Sequence, residues 1–222
     1  IPSSLAATLV QVVDRPIVNY LSGFEVLGVY QANYKLGIFM MLIVSMFQFA
    51  WQPFFLNNAK DAEAKNIFSK VLTLFLIAGS LVWVILSLFL SDVAVFEISE
   101  GTALLLGKNY QEGLFIVPVI LLSYLIYGMY INFTAGIYIE EKTAFMPAIT
   151  GAGAASNVIA NLLLIPLAGL MGAAIATLIS YIVMSAGIYI VSNKYYPVKY
   201  EYSKIIRLFL LITATAGVYY YL

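Results

Sequence analysis

Long apolar segments separated by short polar connections dominate this sequence of 222 residues. A helix that crosses the hydrocarbon core of a bilayer needs about 20 largely apolar residues. Segments of that kind lie at about 1–21, 28–57, 67–90, 112–138, 144–165, 169–191 and 204–222. They are too long for the strands of a membrane barrel and lack the strict alternation of such strands. The sequence therefore predicts an all-α, polytopic transmembrane bundle of about seven spans.

Composition supports this class of protein and excludes several kinds of chemistry. Hydrophobic residues make up 63% of the chain, charged residues 10%, and the mean hydropathy is +0.95. Basic and acidic residues balance at 11 each, so no net charge attracts nucleic acid. Histidine and cysteine are both absent, which excludes histidine acid–base chemistry, thiol nucleophiles and the usual zinc sites. No enzymatic motif is present either, and we expect no enzyme activity, metal or cofactor.

The charges of the polar connections alternate along the chain. One set of connections carries eight of the eleven basic residues: Lys60, Lys65, Lys70, Lys142, Lys194, Lys199, Lys204 and Arg207. The other set carries Lys108 as its one basic residue, against several acidic residues. Because basic connections stay in the cytoplasm, the first span is predicted to start inside and run outward.

Charged residues within the apolar segments are the first candidates for a site, because a charge in hydrocarbon must face a partner or water. Asp14 and Arg15 interrupt the first segment, and Lys35 interrupts the second. Arg15 and Lys35 lie roughly 9 and 10 Å from the external ends of their predicted spans. Two interpretations are open. Either an Asp14–Lys35 ion pair fixes the two helices, or a cation faces a cavity and binds an anionic group.

Uncharged polar residues surround these charges. Gln11 lies one helical turn before Arg15, and Asn33 and Tyr34 directly precede Lys35. For the tyrosines of this region, the simplest interpretation is an aromatic belt at the membrane interface.

Two pairs of amides repeat with helical spacing elsewhere. Gln48 and Gln52 share one helix face, as do Asn157 and Asn161, and interhelical hydrogen bonding is the simplest interpretation of such pairs.

Two connections are also distinctive. Residues 166–169 predict a tight helical hairpin, and the apolar stretches within 91–111 predict a short amphipathic turn at the membrane interface.

Several stretches, taken in order, resemble a known family. They are Asp14-Arg15, LGVYQANYK at 27–35, Gln52-Pro53-Phe54, LGKNYQE at 106–112, NVIANLLLIP at 157–166 and GLMGAAIAT at 169–177. In their order and spacing they resemble the C-terminal half of polysaccharide-biosynthesis flippases of the O-antigen or capsule type. These flippases belong to the multidrug/oligosaccharidyl-lipid/polysaccharide exporter superfamily.

The resemblance implies a fold of two six-helix lobes around a cavity that opens alternately to each side of the membrane. Residues 1–191 would form the second, C-terminal six-helix bundle. Residues 192–222 would form a cytoplasmic loop and the start of an extra C-terminal transmembrane helix. We expect the sequence to be a fragment whose missing partner is the N-terminal six-helix lobe.

The implied function is the flipping of lipid-linked oligosaccharides across the bacterial or archaeal cytoplasmic (inner) membrane by a multi-pass protein in contact with membrane lipids. On this expectation Arg15 and Lys35 hold the diphosphate of the headgroup. Asp14 lies in the same cavity, and sugars are contacted by Gln11, Asn33 and Tyr34.

Other functions are alternatives that the sequence leaves open to different degrees. A multidrug cation antiporter would use Asp14 as its proton or cation site, yet two cations lie at similar depth. A lipid II flippase would share the cation-lined cavity. A non-transporting membrane scaffold or assembly subunit would not need buried cations. A membrane-embedded glycosyltransferase or polymerase would need catalytic groups that the sequence lacks.

Overall fold

The protein, seen in a computed structural model that describes residues 12–99 and 102–221, is helical over most of that length. The helices are α1 (Asp14–Ser22), α2 (Phe24–Tyr34), α3 (Ile38–Asn58), α4 (Ala64–Val95), α5 (Val117–Ile139), α6 (Met146–Tyr195) and α7 (Tyr202–Tyr221). Short 3-10 segments at Lys35–Gly37, Lys108–Ile116 and Thr143–Phe145 precede α3, α5 and α6. The predicted helical fold is confirmed.

Four helical segments in the described part of the chain are long and apolar enough to cross a membrane: Phe24–Asn58, Ala64–Val95, Lys108–Ile139 and Thr143–Tyr195. Large apolar side chains are exposed on them, including Phe49 at 88% and Leu167 at 82%. Proteins folded in water rarely expose large apolar patches. These are the features of a multi-pass membrane protein. The count of seven spans stays a prediction, because the start of the first predicted span lies outside the described residues and α7 is not among the four.

Helix α6 folds back on itself at Gly169, whose backbone φ of 54° and ψ of −129° are not helical. Glycine adopts positive φ without steric cost. The arms 146–168 and 170–195 then pack together, and the Ser180 hydroxyl donates to the Gly153 carbonyl at 2.8 Å. At the turn, Gly172 lies against the backbone of Leu164, which leaves no room for a side chain. The hairpin predicted at 166–169 is confirmed.

Helix α5 lies between its neighbours and packs against α3, α4 and α6. Both tryptophans of the chain donate their indole N–H groups to carbonyls of this helix. Trp83 donates to Pro118 at 2.8 Å and Trp51 to Asn132 at 3.3 Å. Because a buried indole N–H needs an acceptor, these bonds fix α3 and α4 against α5.

Several basic connections meet at one end of the bundle, termed the basic end. Lys65 lies 4.7 Å from the ring centroid of Tyr196, and Lys142 lies 5.5 Å from that of Tyr195. These contacts bring together the connections α3–α4, α5–α6 and α6–α7, which carry most of the basic residues. By the positive-inside rule, this end is predicted to be cytoplasmic.

At the opposite end, the connection from α4 to α5 forms a small antiparallel hairpin. Strand β1 (Glu97–Ser99) pairs with β2 (Thr102–Ala103), and Lys108 forms a 2.8 Å ion pair with Glu97. The sequence predicted an amphipathic turn here, and the structure has a strand pair instead. Pairing the strands gives backbone N–H and C=O groups partners that an irregular turn would leave unbonded.

Candidate functional site

Asp14 is buried in the bundle, with 1% of its surface exposed. The Tyr30 hydroxyl donates to Asp14 Oδ2 at 2.5 Å, whereas Oδ1 has no hydrogen-bond partner among the described residues. The chain reverses between α1 and α2 at Gly23, which has a φ of 89° and brings the two residues to similar depth. The Asp14–Lys35 ion pair considered from the sequence is therefore wrong. Tyr30 and Lys35 are five residues apart, about 140° around a helix, and only Tyr30 faces Asp14.

The predicted depth of Lys35 also needs correction. Helix α2 begins at Phe24 rather than at residue 28, so Lys35 lies roughly 16 Å along the helix from its predicted external end. It is the first residue of the 3-10 segment Lys35–Gly37. At Gly37 the chain comes so close to the Ile120 and Tyr124 side chains that a Cβ would clash with both. The helix is thus interrupted at a point where it packs tightly against α5.

Arg15 and Lys35 both have exposed side chains, and neither forms an ion pair within the described part of the chain. Lys35 lines a groove of about 520 Å³, termed the outer groove, together with Gln31 and Tyr110. Arg15 is not among the residues that line this groove. The structure therefore leaves both cations available to an anion but does not place them in the same groove.

Asn33 and Tyr34 are buried and contact other parts of the protein. Asn33 Nδ2 donates to the Tyr110 carbonyl at 2.7 Å and to the Val29 carbonyl at 2.9 Å, which ties α2 to the segment Lys108–Ile116. The Tyr34 hydroxyl accepts a hydrogen bond from the Tyr124 hydroxyl at 3.4 Å. The sugar contacts predicted for both residues stay predictions. Gln11, the remaining predicted site residue, lies outside the described residues.

A row of tyrosines runs through the interior of the bundle. Neighbouring ring centroids are 5.1 to 6.2 Å apart along Tyr30, Tyr34, Tyr124, Tyr181, Tyr127 and Tyr130. Such separations are typical of packed aromatic pairs. The first two members are 0% and 8% exposed, so the interfacial belt suggested for them by the sequence is wrong. Helix α2 turns them inward, and the ring of Tyr34 packs on Tyr124 of α5.

The tyrosine row ends at a cleft of about 250 Å³ between α3, α5 and α6, near the basic end. This inner cleft is lined by Gln48, Trp51 and Gln52 of α3 and by Tyr127, Tyr130 and Tyr138 of α5, together with residues that include Thr134 and Thr150. Gln48 and Gln52 are exposed. Neither their amides nor the three tyrosine hydroxyls form a hydrogen bond within the described residues. Among the residues that the structure describes, Asp, Glu, Lys and Arg do not contribute to the lining.

The amide pairs differ from their predicted role. Gln48 and Gln52 make no interhelical hydrogen bond among the described residues. Asn161 Nδ2 donates to Asn157 Oδ1 at 2.7 Å and to the Asn157 carbonyl at 2.9 Å, so this pair bonds within one helix. Both asparagines are fully buried. The prediction of interhelical hydrogen bonds is therefore wrong for both amide pairs among the described residues.

The sequence does not predict the inner cleft, although it contains a weak signal. Tyr127, Ile131, Thr134 and Tyr138 follow one another at three- or four-residue steps and share one helix face. Apolar residues lie on every side of α5, so its hydrophobic periodicity does not single out this face. The facing glutamines on α3 complete the cleft only after folding.

Comparison with known protein families, curated proteins and solved structures gives no match for this chain. The fold and site described above therefore rest on the chain's own residues. The resemblance to polysaccharide flippases stays a prediction from the sequence.

Proposed function

We propose that this chain forms one lobe of an alternating-access transporter that moves lipid-linked oligosaccharides across a cytoplasmic membrane, with an N-terminal lobe as its partner. The observation that carries this proposal is the exposure of Arg15 and Lys35, two cations in apolar segments that form no ion pair within the described residues. An uncompensated charge in a membrane helix is costly, and such residues commonly mark substrate pathways. A bound diphosphate would supply the missing negative charge.

The lining of the outer groove supports the same substrate. The Lys35 ammonium and the Gln31 amide are hydrogen-bond donors, which suit phosphoryl oxygens. Phe39 and Leu105 line the groove as well and give it apolar surface. A groove with polar donors beside apolar side chains suits a ligand whose anionic headgroup is joined directly to a lipid tail.

The alternatives receive less support. A cation antiporter would need Asp14 to meet a solvated substrate, but Asp14 is buried and accepts a hydrogen bond from Tyr30. A scaffold subunit has no use for unpaired cations in its helices. A lipid II flippase would use the same cations on a different headgroup, so substrate tests must separate it from an oligosaccharide flippase.

The proposal is tested in cells whose surface polysaccharide depends on the full-length protein. Replacing both cations, Arg15→Gln with Lys35→Gln, is expected to lower export roughly tenfold or more, because hydrogen bonds to charged groups contribute about 1.5–3 kcal/mol each. The matched control, Lys60→Gln with Lys199→Gln, removes two exposed charges near the basic end and should preserve export. Unchanged export, with normal amounts of the Arg15/Lys35 variant in the membrane, would overturn the proposal.

A further inference from the structure

The inner cleft offers hydrogen-bonding groups that the described residues do not use. Gln48 and Gln52 lie one turn apart on α3, opposite Tyr127 and Tyr130 of α5. Each amide provides two donors and an acceptor, and each phenol provides one donor as well as acceptor capacity. In a membrane helix, polar groups of this kind normally find a partner in a neighbouring helix. Here they line an open space instead.

The aromatic surface of the cleft is held rigidly. Trp51 lies between Phe47 and Phe54, with both centroid distances at 5.7 Å and interplanar angles of 15° and 25°. The rings of Tyr127 and Tyr130 stack at 5.7 Å and 14°. Because these side chains are already packed, a ligand that binds against them pays little of the cost of ordering them.

A cyclic sugar matches this combination of features. It presents hydroxyl groups around its edge, which suit the amides and phenols, and C–H groups on its faces, which suit aromatic rings. The volume of about 250 Å³ corresponds to about eight water molecules at roughly 30 Å³ each, which is room for a single small ring rather than a chain.

We infer that the inner cleft binds one uncharged sugar unit of the transported oligosaccharide, apart from the cations that hold its diphosphate. The inference rests on the proposed function for the kind of ligand and adds a second contact point for it. Because the cleft lies at the predicted cytoplasmic end, it receives the sugar before translocation.

An organic cation is the competing occupant, because aromatic rings attract cationic groups through their faces. Two observations favour the sugar. The described part of the lining contains no carboxylate to balance a cation, and its unused amides suit a ligand with many hydroxyl groups.

The chain's two tryptophans allow a direct test. Trp83→Phe, together with replacement of any tryptophan outside these 222 residues by phenylalanine, leaves Trp51 as the single tryptophan and a reporter of the cleft. Titration of the purified full-length protein with the monosaccharides glucose, galactose and N-acetylglucosamine is expected to change Trp51 fluorescence saturably for at least one sugar. Gln48→Ala with Gln52→Ala should weaken that binding roughly tenfold, since two hydrogen bonds are lost. Gln111→Ala, an amide outside the cleft, should leave it unchanged.

A second measurement is needed in case the Trp83→Phe protein does not fold, because this substitution removes the hydrogen bond from the indole to the Pro118 carbonyl. Saturation-transfer NMR on the protein with both tryptophans then reports the same sugar binding and the same loss in the glutamine variant. Binding of tetraphenylphosphonium without sugar binding would overturn the inference, as would the absence of any binding. The export test on Arg15 and Lys35 does not involve the cleft, so the two proposals can fail separately.

Discussion

In the outer cluster, defined by Asp14, Tyr30, Asn33 and Tyr34, the polar side chains are buried and each takes part in a hydrogen bond inside the protein. In the inner cleft, the glutamines are exposed and the polar groups of the lining amides and phenols are unbonded among the described residues. Both regions consist of polar residues in apolar helices. They differ in whether each polar side chain already forms a hydrogen bond within the protein, although Asp14 Oδ1 and Asn33 Oδ1 remain unbonded among the described residues.

This difference shows which polar residues in the membrane helices are candidates for ligand binding. An ionisable residue in such a helix is a functional candidate by default, and for this reason Asp14 is predicted from the sequence to be a site residue. The hydrogen bond from Tyr30 instead indicates a role in packing α1 against α2. The residues available to a ligand are the exposed cations and the amides of the cleft.

The largest effect on stability is expected in the outer cluster. Tyr30→Phe removes the donor to Asp14 Oδ2 and leaves the carboxyl group buried without that bond. We expect a loss of about 2–3 kcal/mol in the free energy of unfolding, seen as a melting temperature lower by roughly 5–10 °C in detergent. Adding Asp14→Leu should recover part of the loss, because the unpartnered polar group is then gone. An unchanged melting temperature in Tyr30→Phe would show that the cluster is not structural.

A smaller loss is expected at Asn33, which joins α2 to the segment Lys108–Ile116. Asn33→Ala should cost about 1–2 kcal/mol, since the Tyr110 carbonyl loses a buried donor. Hydrogen exchange should rise in residues 108–116 and stay constant in the hairpin of α6. Equal exchange in the variant and the natural protein would argue against this tie.

The inner cleft should respond in the opposite way. Tyr127→Phe with Tyr130→Phe removes two hydroxyls that make no bond among the described residues, while both rings remain. We expect the free energy of unfolding to change by less than about 0.5 kcal/mol and sugar binding to weaken several-fold. A large loss of stability with intact binding would reverse the contrast between the two regions.

The smallest effect is expected at an exposed ion pair near the basic end. Lys204 donates to Glu201 at 2.6 Å, and this hydrogen bond lowers the pKa of Glu201. A lowered carboxyl pKa adds stability above the pKa of the unfolded chain, and that stability is lost as the pH falls through the folded pKa. Because exposed pairs are screened by water, Glu201→Gln should leave the melting temperature unchanged at pH 7. A clear decrease at pH 7 that disappears in acid would contradict this expectation.

Local features of the sequence predicted the helices and the hairpin of α6. Long apolar runs must become helices in lipid, because their backbone groups have no other partners there. Residues 166–169 contain a proline and a glycine three residues apart. The glycine takes the one conformation in the turn that the other residue types avoid.

Which way each polar residue faces depends on distant parts of the chain and could not be predicted from local sequence. Tyr30 meets Asp14 because the chain reverses at Gly23, and the helix is interrupted at Gly37 because α5 approaches there. The inner cleft likewise needs α3 and α5 side by side. Adjacent residues such as Tyr34 and Lys35 consequently have different environments, one buried and the other exposed.

The most direct test of the transport proposal measures movement of a diphosphate-linked lipid oligosaccharide across vesicles that contain the full-length protein. A membrane-impermeant glycosidase outside the vesicles reports the sugar that reaches the outer leaflet. We expect faster transfer than in protein-free vesicles. Transfer should fall roughly tenfold in the variant Arg15→Gln with Lys35→Gln and persist in the variant Lys60→Gln with Lys199→Gln. Transfer no faster than in protein-free vesicles, or undiminished in the Arg15/Lys35 variant, would contradict the proposal.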